Sequence, residues 1–396
     1  MKVNVLFIAN GSLANPILQS QGLPYLFNLD SSIYKPHVLS FEKTNSSNET
    51  KAAIEAIIKR FGEKINFYPI KAGGKSLITF RLYSFLRGLR AINYLVQKFD
   101  IKILHARNFF SAFLSIIIKM FFKYNLKVLY DIRGLAIEER IFSGQLKKLP
   151  EKIFRRIEKI VVNKSDSIVV VSERFKEYLI TKYGTSIIKK ISIINNKTVI
   201  PYLNGLELEK IKSNVDYIGV YSGSAASWQN INGMMELFKI AFNMFDNTRI
   251  KILTWQKERF VNKLSNYPEL KDKIEILFFV QEKVFDNLIR CNFGIIFREN
   301  NLISNVSSPL KFAEYLAAGL PVLINEGIGD TEDIISKYNI GVIIRRENYY
   351  AGLKEMMDLL KDKNVYSRCR DVALREFNIK DAFNSYQMIY EELLNN

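Results

Sequence analysis

Lys311 and Glu314 stand three residues apart in the run Ser307-Ser308-Pro309-Leu310-Lys311-Phe312-Ala313-Glu314-Tyr315-Leu316-Ala317-Ala318-Gly319-Leu320-Pro321-Val322. That spacing puts both side chains on one face of a helix. The run carries helix punctuation. Ser308 suits the N-cap, Pro309 the first helical position and Gly319 the C′ site, while Pro321 blocks continuation. The first N–H groups, at Leu310 and Lys311, then point out of the helix start, where a phosphate can be held. A cation for a diphosphate and a carboxylate for ribose hydroxyls together suit a nucleotide sugar. The same pattern also suits a capped surface helix with an internal ion pair. Local physics leaves both readings open.

Other polar residues cluster where strands are expected to end. Leu104-His105-Ala106-Arg107-Asn108 and Tyr130-Asp131-Ile132-Arg133-Gly134 each follow an apolar run, with Glu138 and Glu139 close behind. Polar groups at strand ends are placed to meet a ligand in an open α/β fold. Asp131 and Arg133 beside a glycine turn suit a polar ligand, or else an ion pair that ties strand to loop. Gly11 follows the first strand and permits a tight turn, without a G-x-G-x-x-G fingerprint around it. Cys291 and Cys369 are the only cysteines, and neither has a partner at ligand spacing, which argues against a zinc site or a disulfide framework. No Asp is followed two residues later by another Asp, so the sequence offers no Asp-x-Asp metal motif.

The elements that must position these residues alternate between short β-branched runs and amphipathic stretches. Strands are expected at Val3–Ala9, His37–Phe41, Ile65–Pro69, Ile103–Ala106, Lys127–Asp131 and Ser167–Ser172. A second series falls at Tyr217–Ser222, Arg249–Thr254, Ile274–Phe278, Phe293–Phe297, Val322–Asn325 and Val342–Ile344. Their spacing indicates βαβ units and parallel sheets. A length of 396 residues suits two domains. The turn-rich Pro201-Tyr202-Leu203-Asn204-Gly205 marks the boundary between residues 1–205 and 206–378, with residues 379–396 as a terminal helix. The fold class is α/β, with two Rossmann-like domains facing across a cleft.

Charge is uneven. The net +17 arises in residues 1–200, which hold 33 Lys and Arg against 14 Asp and Glu. Such asymmetry suggests an anionic partner for that half. Phe80–Arg90 and Lys147–Ile160 interleave aromatic or aliphatic residues with cations and read as interfacial helices, unless their apolar sides pack on the sheet. The apolar run Phe109–Phe122 is too short to span a bilayer and is interrupted by Lys119. It suits a helix buried under the first sheet, with partial insertion into a membrane surface as the alternative.

The window from Ser308 to Val322 resembles the donor-site signature of glycosyltransferase family 4, in the variant S-P-x-K-x-x-E-Y-x-A-x-G-x-P-V. Around it, Cys291–Arg298 resembles the family's "aDvGi" strand, and Ser167–Glu173 its "vSe" strand. Val199–Glu207 resembles the interdomain "IPNGvD" segment, and Tyr217–Ser224 the opening of the second domain. The resemblance implies the GT-B fold, with the terminal helix crossing back to the first domain. It implies that Glu314 binds the donor ribose while Lys311 and the backbone at Leu310 face the diphosphate, with Ser308 at the helix start. Arg298 is a second phosphate contact, and Gly223 and Ser224 let backbone approach the donor. On the other side, His105 resembles a position near the reacting sugar. Asp131 and Arg133 join it as catalytic candidates, and Gly11, Arg107, Glu138 and Glu139 are acceptor-side candidates.

Two departures stand out. Val306 occupies the place of a second family glutamate, and Ser224–Asn230 lacks the usual Arg and Lys, which leaves Arg298 and Lys311 to neutralise the leaving diphosphate. The expected activity is a retaining, metal-independent sugar transfer, without a cofactor, from a UDP or GDP donor. The expected acceptor is a lipid-linked saccharide in cell-surface polysaccharide assembly, such as O-antigen or capsule. The expected place is the cytoplasmic membrane face, held peripherally by anionic lipid. The alternatives are another GT-B nucleotide-sugar enzyme such as an epimerase, or a basic nucleic-acid-binding protein. No RNP-type aromatic–basic module supports the latter, so nucleic acid is not an expected partner.

Overall fold

The computed structural model describes residues 2–43, 46–72, 77–122, 125–145, 148–203, 217–278 and 284–395, without the side chains of 77–82 and 148–149. Seven strands form the first sheet: β1 (Val3–Ala9), β2 (Tyr34–Lys43), β3 (Asn66–Ala72), β4 (Ile101–Arg107), β5 (Lys127–Asp131), β6 (Ser167–Val170) and β7 (Ile191–Ile193). Six form the second: β8 (Tyr217–Ser222), β9 (Thr248–Leu253), β10 (Ile274–Leu277), β11 (Phe293–Ile296), β12 (Val322–Asn325) and β13 (Gly341–Ile344). All pairings are parallel, in the orders β3-β2-β1-β4-β5-β6-β7 and β10-β9-β8-β11-β12-β13. Each expected strand is present. β7 was not expected: three residues after a 3₁₀ turn are too few to show a period.

The order reverses between β1 and β4 in the first sheet and between β8 and β11 in the second. Ligands of open α/β sheets bind outside the carboxyl ends of strands at such switch points. The loops after β8 and β11 are therefore where the second sheet presents its chemistry.

The chain divides into two compact units. One comprises Met1–Val171, Lys176–Ile194 and Lys380–Asn396; the other comprises Ser172–Phe175 and Asn195–Ile379. The change at Ile194 lies ahead of residue 205, because Thr198 pairs with Asn378 in the second unit. Asn204 and Gly205, part of the expected boundary, lie outside the described residues. In the first unit the helix Phe109–Phe121 packs on β4 and β5 and buries Phe109, Leu114, Ile116 and Ile118. This is the buried helix that its composition predicts. Its far end differs: Met120, Phe121 and Phe122 are exposed, Phe121 by 74 %.

β2 buries His37 completely. Its ring lies 3.1 Å from Asn4 Oδ1 and 3.4 Å from the Tyr68 hydroxyl, and 4.6 Å from the Phe99 ring centroid. Burial, helped by Lys35, pushes its pKa down to about 4. An unfolded histidine titrates near ~6.5, so between those values the unfolded chain binds a proton that the folded one refuses. Stability is therefore expected to be full above pH ~6.5 and to fall by about 3 kcal/mol as pH drops through about 4. His105, whose burial also lowers its pKa, acts in the same sense. Urea unfolding of wild type and His37→Phe at pH 7.5 and 4.5 checks this. Wild type should lose markedly more stability than the variant, and equal losses would refute the assignment.

Candidate donor site in the second unit

The helix that carries Lys311 and Glu314 runs from Leu310 to Ala317. Its start differs from expectation by one residue. Pro309 takes the N-cap place with extended ψ of 120°, and no side chain caps the helix. Ser308 does not cap it. Its Oγ accepts from the Asn196 N–H at 3.2 Å, and its carbonyl accepts from Asn196 Nδ2 at 2.6 Å. Asn196 thus engages the serine that would otherwise cap the helix. Gly319 occupies the expected left-handed position, with φ of 72°.

Lys311 does not form the intrahelical ion pair that its spacing also allowed. It is 9 % exposed, and its Nζ has no hydrogen-bond partner among the described residues. The ammonium lies 4.0 Å above the centroid of the Tyr221 ring, a cation–π geometry. It also explains Gly223. A Cβ there would stand 2.7 Å from Lys311 Nζ, so the glycine (φ 149°) clears space for the lysine as well as exposing backbone. Burial drives the Lys311 pKa well below the usual lysine range, aided by the charge on Arg298 and opposed by Glu314.

Tyrosines hold this corner together, and the sequence did not single them out. The Tyr315 hydroxyl accepts from the Ser222 N–H at 2.7 Å and donates to the Ile295 carbonyl at 3.3 Å, joining the ends of β8 and β11. A side chain at Gly294 would overlap the Tyr315 ring. The Tyr221 hydroxyl donates to the Ser224 carbonyl at 2.7 Å and shapes the loop after β8. Arg298 follows β11. Its N–H donates to Asn325 Oδ1 and its carbonyl accepts from Asn325 Nδ2, both at 2.8 Å. Gly223, Ser224, Arg298, Leu310, Lys311 and Glu314 are thus positioned by the loops after β8 and β11 and the helix behind them, at the switch point of one sheet.

The first-unit candidates behave differently. His105 is 1 % exposed, with Nδ1 2.6 Å from the Tyr390 hydroxyl and Nε2 3.4 Å from Asp131 Oδ2. Asp131 is wholly buried, 2.8 Å from Arg133 Nε and 3.5 Å from Arg107 Nη1. Burial works against its charge, but Arg133, then His105 and Arg107, hold the carboxyl well below the usual range. Arg133 also meets the Tyr386 hydroxyl and the Ile194 carbonyl, and Arg107 donates to the Gln21 carbonyl at 2.5 Å. These four side chains meet one another, the Gln21 and Ile194 carbonyls and the helix Ile379–Asn395. That geometry fits the ion-pair reading of Asp131 and Arg133 that the sequence also allowed.

Glu138 likewise has partners within the first unit. Its Oε1 accepts from Arg155, Tyr178 and Lys182 at 2.5, 3.0 and 3.4 Å. Glu139, on the same short helix, is half-buried, and its carboxylate fills the space beside Gly134. Gly11 has φ of 150° and open space where a side chain would stand. Among the first-unit candidates it leaves room for a ligand. No group of three or more His, Cys, Asp or Glu able to hold a metal occurs among the described residues.

Residues 45–196 match the family model described as Glycosyltransferase Family 4. No match is found among curated protein sequences. Solved structures with the same fold include a glycosyltransferase from Rickettsia africae ESF-5, at 16 % identity and a TM-score of 0.70, covering 100 % of this chain and 99 % of that one. HepE of Anabaena, solved in complex with UDP, aligns over 100 % of both chains at 13 % identity and a TM-score of 0.69. The lipopolysaccharide outer core galactosyltransferase WaaB aligns over 98 % of this chain and 99 % of its own at 9 % identity and a TM-score of 0.67. With the family 4 segment and the GT-B fold, the chain is a glycosyltransferase that resembles family 4.

Proposed function

We propose that the chain is a retaining, metal-independent transferase that moves a sugar from a UDP or GDP donor to a lipid-linked saccharide at an anionic membrane face. One observation carries the donor half of this reading. Lys311 is a buried amine without a hydrogen-bond partner among the described residues, set at the switch point of the second sheet. Burying an amine without a partner is costly, and an anion that completes its bonds recovers that cost. A diphosphate fits, with Arg298 as its second cation and the N–H groups opening the helix at Leu310 as further donors. Glu314, half-buried one turn on, takes the ribose hydroxyls. As the sugar–phosphate bond breaks, negative charge grows on the leaving oxygen, and these fixed cations stabilise it. The acceptor hydroxyl attacks the same face of the sugar and loses its proton to the departing phosphate side. No resident metal is needed for that charge. HepE, of the same fold, was solved with UDP, which supports a uridine nucleotide as the first to try.

The membrane half rests on the first unit. Tyr83, Leu86 and Tyr94 on the helix Leu77–Phe99 are exposed, as are Ile153 and Ile160 on the helix Lys148–Lys164. Both helices pack beside the helix that ends in exposed Met120, Phe121 and Phe122. Exposed apolar groups among cations suit the headgroup region, at about 1 kcal/mol per cation. No helix among the described residues is long and apolar enough to cross a membrane. Of the two interleaved runs, Phe80–Leu82, Lys148 and Leu149 lie outside the described side chains, and Lys147 outside the described residues.

A thermal-shift panel of nucleotides, followed by co-sedimentation with phosphatidylserine vesicles, tests the reading. UDP or GDP at 100-fold its Kd should add about 2.7 kcal/mol of stability. Vesicle binding should require the anionic lipid and vanish near 1 M salt. Indifference to every nucleotide removes the donor assignment, and indifference to the vesicles removes the membrane assignment.

A further inference from the structure

Lys311 faces an unusual set of neighbours. From β8 comes the Tyr221 ring, 4.0 Å below the ammonium, whose phenol burial keeps protonated and whose proton is given to the Ser224 carbonyl. From the same strand end comes the Gly223 backbone. After β11 comes Arg298, a second positive charge. On its own helix stand Glu314, the one carboxylate acting on it, and Tyr315, whose hydroxyl is engaged by Ser222 and Ile295. Two cations and one carboxylate thus share a corner in which Lys311 is 9 % exposed and makes no hydrogen bond. A charged amine there is short of water and shares its one carboxylate with Arg298, whereas a neutral amine avoids most of that cost. A diphosphate reverses the balance by bringing two negative groups within reach.

We propose that Lys311 is a neutral amine before the donor arrives and takes up one proton from solvent as the diphosphate binds. This rests on reading Lys311 as a diphosphate contact. The balance is simple: the amine of Lys311 plus a solvent proton becomes an ammonium paired with a phosphoryl oxygen, and no covalent bond changes. Burial, which lowers the Lys311 pKa, supports the same state for the donor-free protein. The consequence is that donor affinity weakens as pH rises, although the donor's own phosphates are already fully ionised. Linkage sets the slope at up to tenfold in Kd per pH unit between the free and bound pKa values.

Isothermal titration with UDP, and with GDP, at pH 8.5 in buffers of differing ionisation enthalpy measures the protons taken up. The terminal phosphate, with a second pKa near ~6, is fully ionised there and contributes none. Wild type should take up close to one proton per nucleotide, and its Kd should rise about ten- to thirtyfold from pH 7.5 to 9. Lys311→Met should bind more weakly with no proton uptake. Lys311→Arg keeps a charge at every pH; it should bind without uptake, and serves if the methionine variant no longer binds measurably. Tight binding with heats independent of buffer overturns the proposal and leaves the donor assignment standing. Uptake that persists in Lys311→Arg also overturns it, since another group then carries the proton. If neither nucleotide binds, both the proposal and the donor assignment fall.

Discussion

Lys311→Met is expected to cut kcat/KM for sugar transfer by about 10²–10³ while making the fold more stable. The loss follows from removing one preorganised charge aimed at the leaving group, and groups of that kind contribute on this scale. The gain follows from the same burial that makes the lysine useful. Its Nζ has no hydrogen-bond partner among the described residues and sits over an aromatic ring in a corner closed by Tyr221, Tyr315 and Gly223. Methionine matches the lysine stem in length and carries no group that needs a partner. Removing an unsatisfied buried polar atom is worth about 1–3 kcal/mol. Steady-state kinetics and denaturant melts on the same preparations check both signs. A variant that is both slower and less stable would mean that Lys311 supports the fold, and that the anion is held elsewhere.

The second large effect lies in the other unit. Asp131→Ala is expected to destabilise the first unit by about 3–5 kcal/mol, the cost of removing one partner from a buried ion pair. Arg133 and Arg107 would be left with their charges facing each other in the interior. Arg107 already shows the strain of burial, which pushes its pKa down to about 10. The Tyr386 hydroxyl lies 3.2 Å from Asp131 Oδ2, and Tyr390 reaches His105, so the last helix should loosen with the core. Hydrogen exchange should report faster amide exchange in residues 380–395 together with β4 and β5. Protection that is lost in the strands alone would show that the helix is held by its apolar contacts, among them Tyr34 and Tyr25 against Tyr390 and Tyr386.

Much of the fold was legible in the sequence because parallel strands buried on both faces are near-continuous β-branched runs. β5, β8 and β12 carry the expected bounds. The helix bearing the candidate donor residues was legible too, since Lys311, Glu314 and Gly319 lie within one helical window. Its partner on the next strand was not: that Tyr221 lies beneath Lys311 depends on the crossover from β8 through β11, which no local spacing records. For His105 and Asp131 the sequence left two readings open. Polar residues at strand ends have the same signature whether they await a ligand or another part of the chain. Here the answer came from Tyr386 and Tyr390, 255 and 285 positions away from their partners. Ser308 differs because Asn196, 112 positions away, takes its hydroxyl and carbonyl.

The distance between His105 and Tyr390 has a consequence for how the protein is made. Strands β1 to β7 leave the ribosome long before the helix that completes their unit. Until that helix is synthesised, the His105 ring, the Asp131 carboxylate and two arginines lack the hydroxyls that later meet them. The second unit, made of Ser172–Phe175 and Asn195–Ile379, is fully synthesised before that helix and can close earlier on contacts of its own. The order of synthesis and the order of completion therefore differ: the unit begun first is finished last. Closing a contact across 285 residues is slow relative to local packing. During that interval the nascent first unit lacks the groups that later cover its polar interior.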